Sequence, residues 1–227
     1  MTPLRSLLFV PGNKENMLEK ALATRPDVLV PDMEDSVPDA EKTVARDTIR
    51  RFLPRLESTG RPIAPRVNSL DTGLVADDLA AVVGPAIAAV SVGKIRRPAD
   101  IAAISSLIAR LEQRAGLPIG QIKLIPWIET AAAIVDCHAI CKASARIVAV
   151  AFGAEDFTHD MGIDRLDDEA QLLHARSALA IAARRLSVLR RSRASNREKT
   201  AVGTSRPTRV RSMPMSSSTL PAITRTR

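Results

Sequence analysis

Six apolar runs, at 6–10, 28–30, 63–67, 88–92, 122–128 and 147–152, lack the polar alternation of a half-solvated strand. Each leads into a stretch with helical spacing. Met17/Ala21 and Leu18/Leu22 mark one helix at 14–23. Val44, Ile49, Phe52 and Leu53 mark another at 40–53, and a short one is expected at 77–83. Ile101, Ile104, Ile108 and Leu111 form the clearest stripe, with Pro98 near its start, where a missing N–H costs nothing. Helices at 131–143 and 169–185 complete the series. Strands apolar on both faces must be covered on both, which requires parallel pairing with helical crossovers. No GxGxxG or GxxxxGK[ST] follows any strand, so the common phosphate cradles of doubly wound sheets are absent. The pattern predicts an α/β fold, a (β/α)8 barrel of TIM type that is incomplete at about six βα units.

A chain of 227 residues holds one such core. The formal charge of +8 suggests nucleic acid until it is divided along the chain. Residues 186–227 contain ten Lys and Arg against one acid, Glu198, leaving 23 basic and 24 acidic groups in residues 1–185. The folded part, expected at 1–185, is not basic. The remainder, 186–227, is rich in Arg, Ser, Thr and Pro without aromatics, so it reads as a disordered basic tail. With no aromatic platform for bases, the tail is a poor nucleic-acid binder. Cys137 and Cys141 lie four apart on one helical face, and the three histidines show no zinc-type spacing with them. Buried free thiols and a reducing cytoplasm are the simplest reading. The run 7–10 is too short for a signal-peptide core, and nothing approaches the ~18 apolar residues of a membrane span.

In a barrel the residues just past each strand converge on one mouth. LVPDMED (29–35), IAPRVN (63–68), LIPWIET (124–130) and VAVAFGAEDF (148–157) place Glu34, Arg66, Glu129 and Asp156 there. Glu129 and Asp156, on neighbouring strand ends, suit Mg2+, which takes oxygen ligands and keeps positions for water and substrate. Such a metal polarises the carbonyl of an oxo acid. The alternative is a pair of acids capping the following helices. Arg66 offers a fork of donors to a carboxylate or an enolate oxygen, or else pairs with Asp32, Glu34 or Asp35. Lys94 reads either as a Schiff-base nucleophile or, with Arg96 and Arg97, as an exposed anion-binding rim. His159 reads as a solvated loop histidine.

RSLLFVPGN (5–13), PDMEDSV (31–37) with Lys42 and Arg46, PRVN with SLDTG (65–73), LIPWIETAAAI (124–134) and FGAEDFTHDMG (152–162) occur in order. Together they resemble the HpcH/HpaI aldolase and citrate lyase β-subunit (CitE-like) family over residues 3–185. The resemblance implies an oligomeric Mg2+-binding barrel. Such an enzyme makes or breaks a carbon–carbon bond beside a CoA or acyl-carrier thioester, releasing an oxo acid from citryl, malyl or citramalyl substrates. It further implies that Arg66 contacts substrate, that Glu129 binds metal and substrate, and that Asp156 is the second metal ligand. By the same likeness Lys14 touches the thioester handle, and Glu34 and Asp35 lie beside the arginine and substrate.

The sequence departs from the family in two places. Val92-Gly93-Lys94 replaces the family's Leu-Pro-Lys, and the last two strands have no match, as a reading-frame change in GC-rich coding DNA would produce. Two competing expectations therefore stand beside a Mg2+-dependent thioester lyase: an aldolase on free hydroxy-oxo acids, and an inactive remnant.

Overall fold

The computed structural model describes residues 4–184. Six strands pair in chain order in one parallel sheet: β1 (Leu7–Pro11), β2 (Val28–Asp32), β3 (Arg66–Val67), β4 (Ala89–Val92), β5 (Lys123–Ile128) and β6 (Ala151–Phe152). Helices fill the crossovers: α1 (Glu15–Leu22), α2 (Lys42–Glu57), α3 (Val75–Val82), α4 (Pro98–Arg114), and the pair α5 (Ala131–Val135) and α6 (Cys137–Lys142). After β6 come α7 (Ala154–Met161) and α8, which begins at 173 and reaches 184. These are six consecutive βα units of a (β/α)8-type barrel.

The sheet is curled. β1 and β5 are four strand positions apart, about 19 Å on a flat sheet, yet the rings of Phe9 and Trp127 meet edge to face at 5.5 Å. Only a sheet bent into a trough brings them together. Two apolar layers follow. Outside, Leu29, Val67, Val90, Val92, Leu124 and Ile128 pack against Leu18, Ile49, Leu79, Ile104, Ile108 and Ile140 of the helices. Inside the trough, Val28, Val30, Ala64, Ala89 and Ile125 form a second, smaller cluster. On β2, Val28 and Val30 face inward and Leu29 outward, so a run with no polar alternation still obeys the period of two.

The structure corrects several boundaries. The expected third strand, 63–67, is regular only at Arg66–Val67, with Ile63 joined to Leu29 by an isolated bridge. Pro65 has no N–H to give the ladder. The sixth, expected at 147–152, is likewise reduced to Ala151–Phe152, with Ile147 bridging Leu124. The helix expected at 131–143 breaks at Asp136 (φ −90°, ψ 3°) into α5 and α6. Residues Ala154–Met161 are helical, including His159, expected in a loop. The helix expected from 169 begins as a 3-10 turn, Ala170–Leu172. Cys137 and Cys141 are both free and buried, as expected, and burial pushes the Cys141 thiol up to about 11. The expected tail, 186–227, lies outside the described residues. No helix among the described residues is long and apolar enough to cross a membrane.

Candidate active site

Arg66 leads from the inner face of β3 into a nest of acids. Its Nε donates to Asp32 Oδ1 at 2.7 Å and its Nη2 to Asp32 Oδ2 at 2.6 Å, a two-point pair. Nη1 lies 2.9 Å from Glu34 Oε2 and 3.0 Å from Asp35 Oδ2. The guanidinium also rests 5.0 Å from the centre of the Phe9 ring, a cation–π contact inside the trough. Burial alone would raise the Asp32 carboxyl, but the hydrogen bonds and charge of Arg66 outweigh it and hold Asp32 below its ordinary value. The ion-pair alternative for Arg66 is the one observed, at the end of β3.

Lys94, just past β4, joins this nest to the next strand. Its Nζ pairs with Glu34 Oε1 at 2.7 Å and Asp35 Oδ1 at 3.1 Å, and its backbone N–H donates to Glu129 Oε2 at 2.7 Å. Burial lowers the affinity of that amine for a proton, yet Glu34 and Asp35 more than compensate, so its pKa is raised. A Schiff-base lysine needs the reverse. Lys94, about a third exposed, lines an open cleft of about 850 Å3 together with the exposed Arg96 and Arg97, which stand beside Asp71 and Asp100.

Glu34 is buried. That burial and its acidic neighbour Asp35 push its carboxyl up to about 7 despite the two cations. Asp35, half exposed, is held low: burial works against this, but its bonds to Glu34 and Lys94 prevail. Lys42 ties down the loop carrying both acids, donating from Nζ to the carbonyls of Met33 and Glu34 at 3.1 and 2.8 Å.

Glu129 follows β5 and is 3% exposed. Among the described residues, the one hydrogen-bond donor to its carboxylate is the Lys94 N–H. Its pKa is raised, first by burial and then by the charges of Asp156 and Asp35. Gly153 makes room for it, since a Cβ at 153 would stand 2.4 Å from Glu129 Oε1. Asp156 lies in the first turn of α7, half-buried. A buried carboxylate whose ionisation a neighbouring acid opposes is a donor that a hard cation relieves. Among the described residues no group of three or more His, Cys, Asp or Glu is arranged to hold a metal.

Of the expected site residues, the structure brings Glu34, Asp35, Arg66 and Glu129 into one network linked by Lys94, with Asp156 near enough for its charge to raise Glu129. Lys14 stands apart, its Nζ exposed and 3.7 Å from Glu41 Oε2. His159 is exposed in the last turn of α7 rather than in a loop.

The HpcH/HpaI aldolase/citrate lyase family model matches residues 5–201. The chain belongs to this family. It is 34% identical over 180 residues to the citrate lyase subunit beta of Leuconostoc mesenteroides subsp. cremoris, covering 79% of this chain and 60% of that protein. It is 28% identical over 198 residues to the mitochondrial citramalyl-CoA lyase of Rattus norvegicus, covering 80% and 56%. Its fold superposes on CitE of Mycobacterium tuberculosis in complex with magnesium, acetoacetate and coenzyme A. There the TM-score is 0.64 at 26% identity, with coverage of 82% of this chain and 64% of that one. The chain therefore spans about 60% of the length of the citrate lyase β subunits it matches.

Two contributors to this HpcH/HpaI site escape local sequence reading. Asp32 is fully buried and makes the two-point pair with Arg66, 34 positions on; the PDMED cluster names it only as one of three equal acids. Asp78 on α3, also fully buried, accepts from the backbone and side-chain N–H groups of Asn68 at 2.9 and 2.7 Å and from Arg46 Nε at 2.9 Å. It fixes the chain two residues after Arg66, and an acid in an apolar helix (VADDLAAV) is the one local sign of it.

Proposed function

We propose that this site belongs to a Mg2+-dependent carbon–carbon lyase. It cleaves, or in reverse condenses, a 3-hydroxyacyl-CoA thioester such as citryl-, malyl- or citramalyl-CoA. The products are an acyl thioester and an oxo acid. The observation that carries this reading is Glu129: a buried carboxylate held by a single backbone N–H, beside Asp156 and linked through Lys94 to the Arg66 nest. Relatives named as citrate lyase β subunits and citramalyl-CoA lyase, and a CitE complex with magnesium and coenzyme A, support it.

Glu129 and Asp156 would hold the metal. When bound, Mg2+ acts as a Lewis acid on the carbonyl of the oxo acid. In cleavage the hydroxyl gives up its proton and its oxygen forms the oxo acid's carbonyl as the bond from that carbon to the thioester α-carbon breaks; the electron pair passes to the thioester as an enolate, whose α-carbon then takes up a proton. Arg66 meets the negative oxygen with a charge fixed in place by Asp32, so it needs no reorganisation as the charge develops. That assigns Arg66 chiefly to the transition state and Glu129 to the ground-state complex as well.

Comparing Arg66→Ala with Glu129→Ala in Mg2+ affinity and turnover tests this division. The arginine variant should lose turnover and keep metal. Equal loss of metal affinity in both, with full turnover in the arginine variant, would contradict it. Assaying malyl-, citramalyl- and citryl-CoA against free 4-hydroxy-2-oxo acids, with and without chelator, separates the thioester lyase from a free-acid aldolase.

A further inference from the structure

Lys94 has a φ of 55°, in the left-handed region that residues with a branched or long side chain rarely occupy. Among the described residues the one other non-glycine with positive φ is Glu169, which opens the short 3-10 turn before α8. Lys94 opens no such turn. It lies between a strand and a helix, at the junction of the two acidic groups of the site.

The torsion φ sets the angle between a residue's N–H and its side chain. At Lys94 these two groups face different carboxylates: the N–H meets Glu129 Oε2 at 2.7 Å, and Nζ meets Glu34 Oε1 at 2.7 Å. The chain must then continue into Ile95, which is 1% exposed and packed in the outer core. Gly93, just before, is passed closely by both acids. A Cβ there would stand 3.3 Å from Glu129 Oε2 and 3.5 Å from Glu34 Oε1. The turn after β4 is thus a narrow strip of backbone between two carboxylates, and Lys94 grips one with its main chain and the other with its side chain.

We infer that Lys94 is a positioning residue for the metal carboxylate: its left-handed backbone aims the N–H at Glu129 Oε2, leaving Oε1 for the cation, and its ammonium anchors that conformation to Glu34 and Asp35. This rests on the metal site proposed above. Backbone strain held at a site is explained when the strained geometry performs a task, and here the task is to fix one rotamer of a carboxylate that has no other described donor. Lys94 acts through Glu129, not on substrate.

The test uses the full chain and Mn2+ as probe, with free Mn2+ followed by its paramagnetic resonance signal during titration. Wild type and Glu129→Gln come first. If wild type binds no Mn2+, or Glu129→Gln binds it equally well, the metal reading itself fails. If wild type binds and Glu129→Gln does not, Lys94→Asn, Lys94→Gly and Lys94→Val follow. All three lack the ammonium; asparagine and glycine accept positive φ, and valine resists it. The account expects Asn and Gly to agree within about threefold and Val to bind about tenfold more weakly, because the binding-competent backbone becomes a minority state. Equal affinities in all three, whether at or below the wild-type value, would overturn it. Should thermal melting show that the valine variant does not fold, Lys94→Ala against Lys94→Gly gives the same comparison, with an expected gap of about fivefold. No gap there would be equally fatal.

Discussion

Two arginines of this protein are almost equally buried, Arg66 at 9% exposure and Arg146 at 6%, and their surroundings differ in kind. Arg146 meets one acid, Glu112, through a two-point pair at 2.9 and 2.6 Å, and donates also to the Ile122 carbonyl. Glu112 takes two more bonds, from the N–H groups of Gly120 and Ile122. Charge is balanced and the donors are used. Around Arg66 and Lys94, by contrast, stand Asp32, Glu34, Asp35 and Glu129, four acids for two cations. A buried pair that serves stability is balanced and closed; this one is over-supplied with carboxylate at a mouth. The difference separates a structural ion pair from a candidate site where burial alone does not.

The comparison breaks most visibly at Glu129. Glu129→Gln should abolish detectable Mg2+ binding by calorimetry and cut turnover by about a thousandfold, since a metal's Lewis-acid contribution amounts to several kcal/mol. Arg66→Ala should cost roughly a hundredfold to a thousandfold in turnover, as loss of one oxyanion donor does, while metal affinity changes little. At the balanced pair, Arg146→Met leaves Glu112 buried without its partner and should destabilise the fold by about 3–5 kcal/mol in urea melts. The melted variant's metal affinity below its transition should match wild type, and a loss there would erase the distinction drawn between the two arginines.

A smaller effect concerns acid. Glu112 and Asp32 are both held below the ordinary carboxylate range, burial opposing and the paired arginine with further hydrogen bonds prevailing. A depressed folded-state pKa contributes stability that is complete above the unfolded value, about 4, and is lost as pH falls through the folded one. The share of the melting temperature that these two acids supply should therefore be lost only below about pH 4. Arg146→Met should flatten Glu112's part of that loss, visible as a shallower pH dependence. The smallest effect is at exposed His159, where His159→Ala should leave turnover within about twofold, as surface changes usually do.

Much of this was legible in the residues. The strands are apolar runs whose burial on both faces leaves no other arrangement than parallel βα units, and residues just past strand ends must share a mouth. What lay beyond reach was anything set by contacts distant in sequence. That Arg66 makes its two-point pair with Asp32 and only a one-point contact with Glu34 depends on which acid ends β2 facing inward. The Glu112–Arg146 pair spans 34 positions with no local sign. The helix α7 carries local signs, with Glu155 and Asp156 in its first turn and Gly162 at φ 63° closing it, which the loop reading of His159 passes over. Lys94 illustrates the opposite failure. Its amine invites reading as a nucleophile, while the group that touches Glu129 is its backbone N–H, which every residue except proline possesses.

A crystal of the full chain loaded with Mn2+ tests the central claim most directly through the anomalous signal of the metal. The account predicts one strong peak within coordination distance, about 2.0–2.3 Å, of a carboxylate oxygen of both Glu129 and Asp156. A peak bound elsewhere, or carboxylates that turn away from a common centre while Mn2+ is demonstrably present, would contradict it.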